Sequence, residues 1–118
     1  MPPNLSSRQQ AQVAFLELLP QKLQRIYSLV ERLALPRVDE TTVRGLGRLL
    51  DDIKGNSAAL SLSGIAETAG RMGMLVRGGG GMPLKVRGLR ELNSSLKVNY
   101  DTALRRASTP EAEDSADA

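Results

Sequence analysis

The chain contains neither cysteine nor histidine. Without cysteine there are no disulfides, thiolate zinc sites or cysteine nucleophiles. Without histidine the common transition-metal sites and Ser-His or Cys-His catalysis fall away too. Tryptophan is absent, and the only aromatics among 118 residues are Phe15, Tyr27 and Tyr100. A core must therefore be built from Leu, Ile, Val, Met and Ala, which helix-on-helix packing allows. No apolar run approaches the ~18–20 residues needed to span a membrane, and no signal-peptide pattern opens the chain. The expectation is a cytoplasmic protein without membrane insertion.

Hydrophobic residues make up 41% of the sequence, enough for one small domain at this length and not two. The formal charge of +3 hides an asymmetry. Four of the 13 acids (Glu111, Glu113, Asp114 and Asp117) lie in the last twelve residues, which hold no base. The rest of the chain thus carries 16 bases against nine acids. Such a body suits an acidic protein partner, nucleic acid or an anionic surface, or serves solubility alone.

Residues 1–6 read as a disordered N-terminus. Ser7-x-x-Gln10 is a capping-box pattern, followed by Val13, Leu16, Leu19, Leu23, Ile26, Val30 and Leu33 at helical intervals. Pro20 interrupts them, and predicts either a kink or a second helix starting at the proline. Leu35 to Asp39 is a turn, with Asp39 or Thr41 able to cap a central helix over about Glu40–Leu60. A third helix is expected after Ser63, its core stripe Ile65, Ala69, Met72, Leu75 and Val76. Gly78 to Gly81 break it, and the run lacks the order of a phosphate-binding loop. A last helix follows Pro83, with Leu89, Leu92, Leu96, Ala103 and Leu104 inward. The composition after Arg106 cannot supply a core, so 107–118 reads as a disordered acidic tail. The expected fold is all-α, an antiparallel four-helix bundle over 7–106.

The central helix has an unusual outer face. Val43, Leu46, Leu50, Ile53, Ser57 and Leu60 fall on one side at 3- and 4-residue spacing. The other side carries Arg44, Gly47, Arg48, Asp51, Gly55 and Ala58, with Lys54 at its edge. A glycine inside a helix costs roughly 0.5–1 kcal/mol relative to alanine. Two of them on one face indicate a surface that something needs low and open. Arg48 and Lys54, three residues either side of Asp51, are within its side-chain reach.

Asp51-Asp52-Ile53-Lys54-Gly55, followed by a small-residue run and Ile65-Ala66-Glu67-Thr68, resembles the signature of histidine phosphotransfer (HPt) domains. Phe15 to Pro20 is similar to a Phe-Leu-Glu-x-x-Pro passage of that family. The family motif is His-x-x-Lys-Gly on the second helix of a helical bundle. Its histidine carries the phosphoryl group, its lysine lies beside the phosphate, and its glycine lets a receiver domain approach. Lys54 and Gly55 match, whereas Asp51 stands where the phosphoacceptor histidine belongs. The resemblance therefore implies a pseudo-HPt protein that cannot carry phosphohistidine.

The resulting expectation is a non-catalytic module of two-component or chemotaxis-like bacterial signalling. It would bind a response-regulator receiver domain or a histidine kinase through Arg44, Gly47, Arg48, Asp51, Lys54, Gly55 and Ala58, and would sequester, compete or scaffold. No cofactor, metal or catalytic residue is expected, since no nucleophile has a partner at diagnostic spacing. Two alternatives come from other classes. One is a small basic nucleic-acid-binding protein, disfavoured because the bases are spread over several helices and stacking aromatics are scarce. The other is a structural bundle that homodimerises through its exposed small residues.

Overall fold

A computed structural model of the protein describes residues 4–111. Helix α1 (Ser7–Leu33) opens on a capping box one residue earlier than the sequence pattern indicated. Ser6 Oγ accepts from the Gln9 amide at 3.0 Å, and Gln9 Oε1 accepts from the Ser6 amide at 3.0 Å. Gln10, the expected partner, donates to the Leu5 carbonyl instead. The helix continues through Pro20 without a split. Pro20 is exposed, so its ring projects into solvent; it removes the hydrogen bond to the Leu16 carbonyl and crowds that oxygen. The buried stripe on either side (Leu16, Leu19, Leu23, Ile26) is uninterrupted.

Helix α2 (Glu40–Ala59) is capped by Asp39, which accepts from the Thr41 amide at 2.9 Å. It ends in a Schellman turn: Leu62 N–H donates to the Ser57 carbonyl at 2.8 Å and Ser61 N–H to the Ala58 carbonyl at 3.1 Å. Ser61 takes the left-handed position at φ 60°. Leu62 is buried beside the turn and stands at the N-cap of α3 (Ser63–Arg77). Ser63, the expected cap, makes no capping bond. Gly78 closes α3, Gly80 has φ +105°, and Gly81 leads into α4 (Met82–Ala107), with Pro83 in its first turn. Of the four consecutive glycines, only Gly80 has a positive φ.

Each helix packs on its chain neighbours and α4 returns to α1, with no diagonal contact among the described residues. Short turns between successive helices make neighbours antiparallel. The result is an all-helical four-helix bundle of 54 × 26 × 19 Å. Its core is aliphatic: the stripe on α1, Leu46, Leu50 and Ile53 on α2, Ile65, Ala69, Met72 and Val76 on α3, and Val86, Leu89 and Leu96 on α4. Full burial of each such large side chain contributes about 1.5–3 kcal/mol. Ser57 sits among them, fully buried, and its hydroxyl is satisfied by the Ile53 carbonyl at 2.5 Å. At Gly88 a Cβ would lie 2.6 Å from Leu75 Cδ2, so α4 approaches α3 closely there. Glu31 on α1 accepts from Arg90 on α4 at 2.7 and 2.9 Å.

The boundary expected at Arg106 lies further on. Ala107 completes α4 and is 2% exposed. The buried Gln9 side chain donates to the Thr109 carbonyl at 2.6 Å, and Arg8 meets Glu111 at 3.1 Å. Residues 107–111, assigned to a tail from composition, thus fasten the end of α4 to the start of α1. The rest of the expected tail (112–118) and residues 1–3 lie outside the described residues. Among the described residues no helix is long and apolar enough to cross a membrane.

Candidate docking face on helix α2

The inward positions of α2 are fixed by the core. Leu46, Leu50, Ile53 and Ser57 are fully buried, while Val43 and Leu60 are half-buried. That turns Arg44, Arg48, Asp51, Lys54, Gly55 and Ala58 outward, and all six are exposed. Gly47, the seventh residue of the candidate face, is buried. The reason is an arginine that lies on it.

Arg77, in the last turn of α3, folds back across α2. Its Nη2 donates to the Gly47 carbonyl at 3.2 Å and to Asp51 Oδ2, with which it forms an ion pair. The cation beside Asp51 is therefore Arg77; among the described residues neither Arg48 nor Lys54 forms an ion pair with it. A Cβ added to Gly47 would meet Arg77 Nη2 at 3.3 Å. One added to Gly73 would meet Arg77 Nη1 at 3.3 Å and Asp51 Oδ1 at 3.8 Å, and nothing else within 4 Å. The guanidinium thus lies in a slot bounded by one glycine from each helix. Lys54 behaves similarly, its stem lying on Gly70 with Cδ and Cε at 3.4 Å from an added Cβ. Gly55 differs. A Cβ there would meet nothing within 4 Å.

The two glycines whose spacing indicated a low, open surface are thereby separated. Gly47 accommodates Arg77, and Gly55 accommodates nothing in this chain. Energies sharpen the distinction. An ion pair whose partners are both about half exposed (53% and 56%) is worth about 0–1 kcal/mol. Placing Gly47 and Gly73 in helix interiors costs about 0.5–1 kcal/mol each relative to alanine. Together with the hydrogen bond from Arg77 to the Gly47 carbonyl, worth roughly 0.5–1.5 kcal/mol net, the pair about balances the glycines that make room for it. The slot is thus close to neutral for folding stability.

Arg77, Gly70 and Gly73 are absent from the sequence-derived face, yet the sequence carries a signal for them. Around Leu62, residues at equal distances face one another across the antiparallel α2–α3 pair. Fifteen residues away stand Gly47 and Arg77, eleven away Asp51 and Gly73, and eight away Lys54 and Gly70. Each position matches a glycine with a long or charged side chain. Along the seam the charges run Arg77, Asp51, Lys54, so the acid lies between two bases. Compared with protein-family models, curated proteins and solved structures, the chain matches none.

Proposed function

We propose that this protein is a non-catalytic signalling module, an HPt-like four-helix bundle lacking the phosphoacceptor histidine. It docks the receiver domain of a response regulator through the exposed α2 face without accepting a phosphoryl group, and so sequesters the regulator or competes for it. Arg44, Arg48, Asp51, Lys54, Gly55 and Ala58 form the contact surface, with Gly47 beneath Arg77 supporting it. The observation that carries this reading is Gly55. It lies mid-face beside Lys54, exposed, with open space where a side chain would stand. Within α2 an added Cβ would meet nothing within 4 Å at Gly45 and Gly55, each costing about 0.5–1 kcal/mol relative to alanine, and of the two only Gly55 lies on the exposed face. Close approach of another protein's backbone is the use for which a missing Cβ matters most.

Asp51 itself is a carboxylate and no substitute for a neutral imidazole nucleophile. Pairing with Arg77 moderates the repulsion it would otherwise exert on an acidic partner. The test is binding of the protein to receiver domains from the same cell, with and without beryllofluoride. Gly55→Arg places a long side chain on an exposed helix position that tolerates it, so the fold should persist while affinity falls at least about tenfold. Unchanged affinity in Gly55→Arg would remove the α2 face from consideration. Silence across a complete receiver panel would exclude the receiver and turn attention to a histidine kinase.

A further inference from the structure

We infer that Arg77, seated between Gly47 and Gly73, is a carboxylate-binding anchor for an acidic segment of a protein partner, and that Asp51 occupies it as an internal competitor in the free protein. The inference rests on the docking reading of the α2 face and names the chemistry that the partner presents there.

The anchor already does in the free protein what it would do in a complex. Its guanidinium donates to a carboxylate oxygen and, through the same Nη2, to the Gly47 carbonyl. The second bond and the two flanking glycines orient the group at the surface of the α2–α3 seam. A planar guanidinium held in one orientation loses less freedom on binding a second carboxylate than a free arginine does. Arg77 is only half covered, so an incoming acid can reach it without opening the core. Its surroundings favour such an acid. Arg44, Arg48 and Lys54 are exposed on the adjoining face and form no ion pair among the described residues. Against these stand Asp51, already engaged with Arg77, and Asp52, the next residue along α2. Exchange of Asp51 for a partner's carboxylate keeps Arg77 paired throughout, and Asp51 then turns toward Lys54, the next base along the seam.

Because Asp51 and the incoming acid compete for one group, removal of Asp51 and removal of Arg77 must act in opposite directions. The probe is a hexaglutamate peptide titrated into the full chain at low ionic strength, followed by backbone amide shifts and the Arg77 Nε–Hε resonance. Asp51→Asn should tighten binding by about fivefold, the lower end of a typical coupling between competing sites. Asp52→Asn removes an equal charge outside the slot and should leave affinity close to wild type. Arg77→Gln should lose the response. Gly47→Ala should weaken it measurably while the thermal midpoint holds or rises, since its Cβ would press on Arg77 Nη2 at 3.3 Å and shift the guanidinium, and alanine favours the helix. Equal tightening by Asp51→Asn and Asp52→Asn would reduce the effect to general charge and overturn the inference. So would retained binding in Arg77→Gln, or binding in Gly47→Ala as tight as in the wild type. Inorganic phosphate is the second arm: if it binds as tightly as the peptide, the site takes free anions and the protein-borne source is wrong. These experiments use no receiver domain, so their failure is separate from failure of receiver docking.

Discussion

A buried acceptor without a donor and an exposed glycine with open space beside it mark where single substitutions act. Asn93 lies in the α1–α4 interface at 6% exposure, in line with Leu89 and Leu96, and its Oδ1 accepts no hydrogen bond. A buried acceptor without a donor is a net cost that an aliphatic side chain of similar size removes. Asn93→Leu should therefore raise stability by about 1–2 kcal/mol, measured by urea denaturation. A loss would show that the amide is satisfied in solution. Gly55→Ala should also stabilise, by about 0.5–1 kcal/mol, because the added methyl group meets nothing within 4 Å. The same change should weaken receiver binding if the α2 face docks closely. Stability and affinity would then move in opposite directions at one residue.

At the scale of the helices, α1 and α4 are tied by the Glu31–Arg90 pair. The hydrogen bond from Arg90, helped by its charge, holds the Glu31 carboxyl below its ordinary value of 4.5, partly opposed by desolvation. A carboxyl whose folded value is depressed stabilises the fold above the unfolded value, and that contribution disappears as pH falls through the folded one. The stability of the wild type should hence fall more steeply than that of Glu31→Gln between about pH 5 and pH 3. Parallel curves from urea titrations at each pH would show that the pair contributes nothing. The corresponding rise at Arg90 concerns only strongly alkaline solution. Between α2 and α3 the tie is different in kind. There the Arg77–Asp51 pair sits on the outer seam, with both side chains about half exposed.

For the molecule as a whole, the two ends of the described chain meet. Gln9, Thr109, Arg8 and Glu111 join the start of α1 to the residues after α4. A chain ending at Arg106 loses the buried Ala107 and the main acceptor of the Gln9 amide. It should be about 1–2 kcal/mol less stable than one ending at Glu111. Comparing the two truncations by thermal melting checks this, and equal stability would restore the boundary at Arg106. Ile53 is fully buried at the centre of α2. Ile53→Asp should abolish the cooperative transition by placing a charge in an aliphatic core that offers it no partner.

The sequence by itself determined the helices and their inward faces. Periodic aliphatic residues, Asp39 and the glycine run are local signals, and local signals set where a helix begins, ends and turns its apolar stripe. Every residue expected inward on α2, α3 and α4 is buried or half-buried for that reason. Adjacent possibilities of nearly equal energy were less legible. Ser6 and Ser7 offer the same cap one residue apart, and a proline on an exposed face leaves the helix intact when the core stripe continues beneath it. Tertiary structure alone decided what Asp51 touches. Helical reach made Arg48 and Lys54 its natural partners, but Arg77 arrives from α3, twenty-six residues away. Only the antiparallel register of α2 and α3 brings it there. The same register separated the glycines: Gly47 is covered by Arg77, whereas Gly55 is left open. A residue's spacing along a helix fixes the side it faces, whereas what stands opposite depends on a second helix placed by the core.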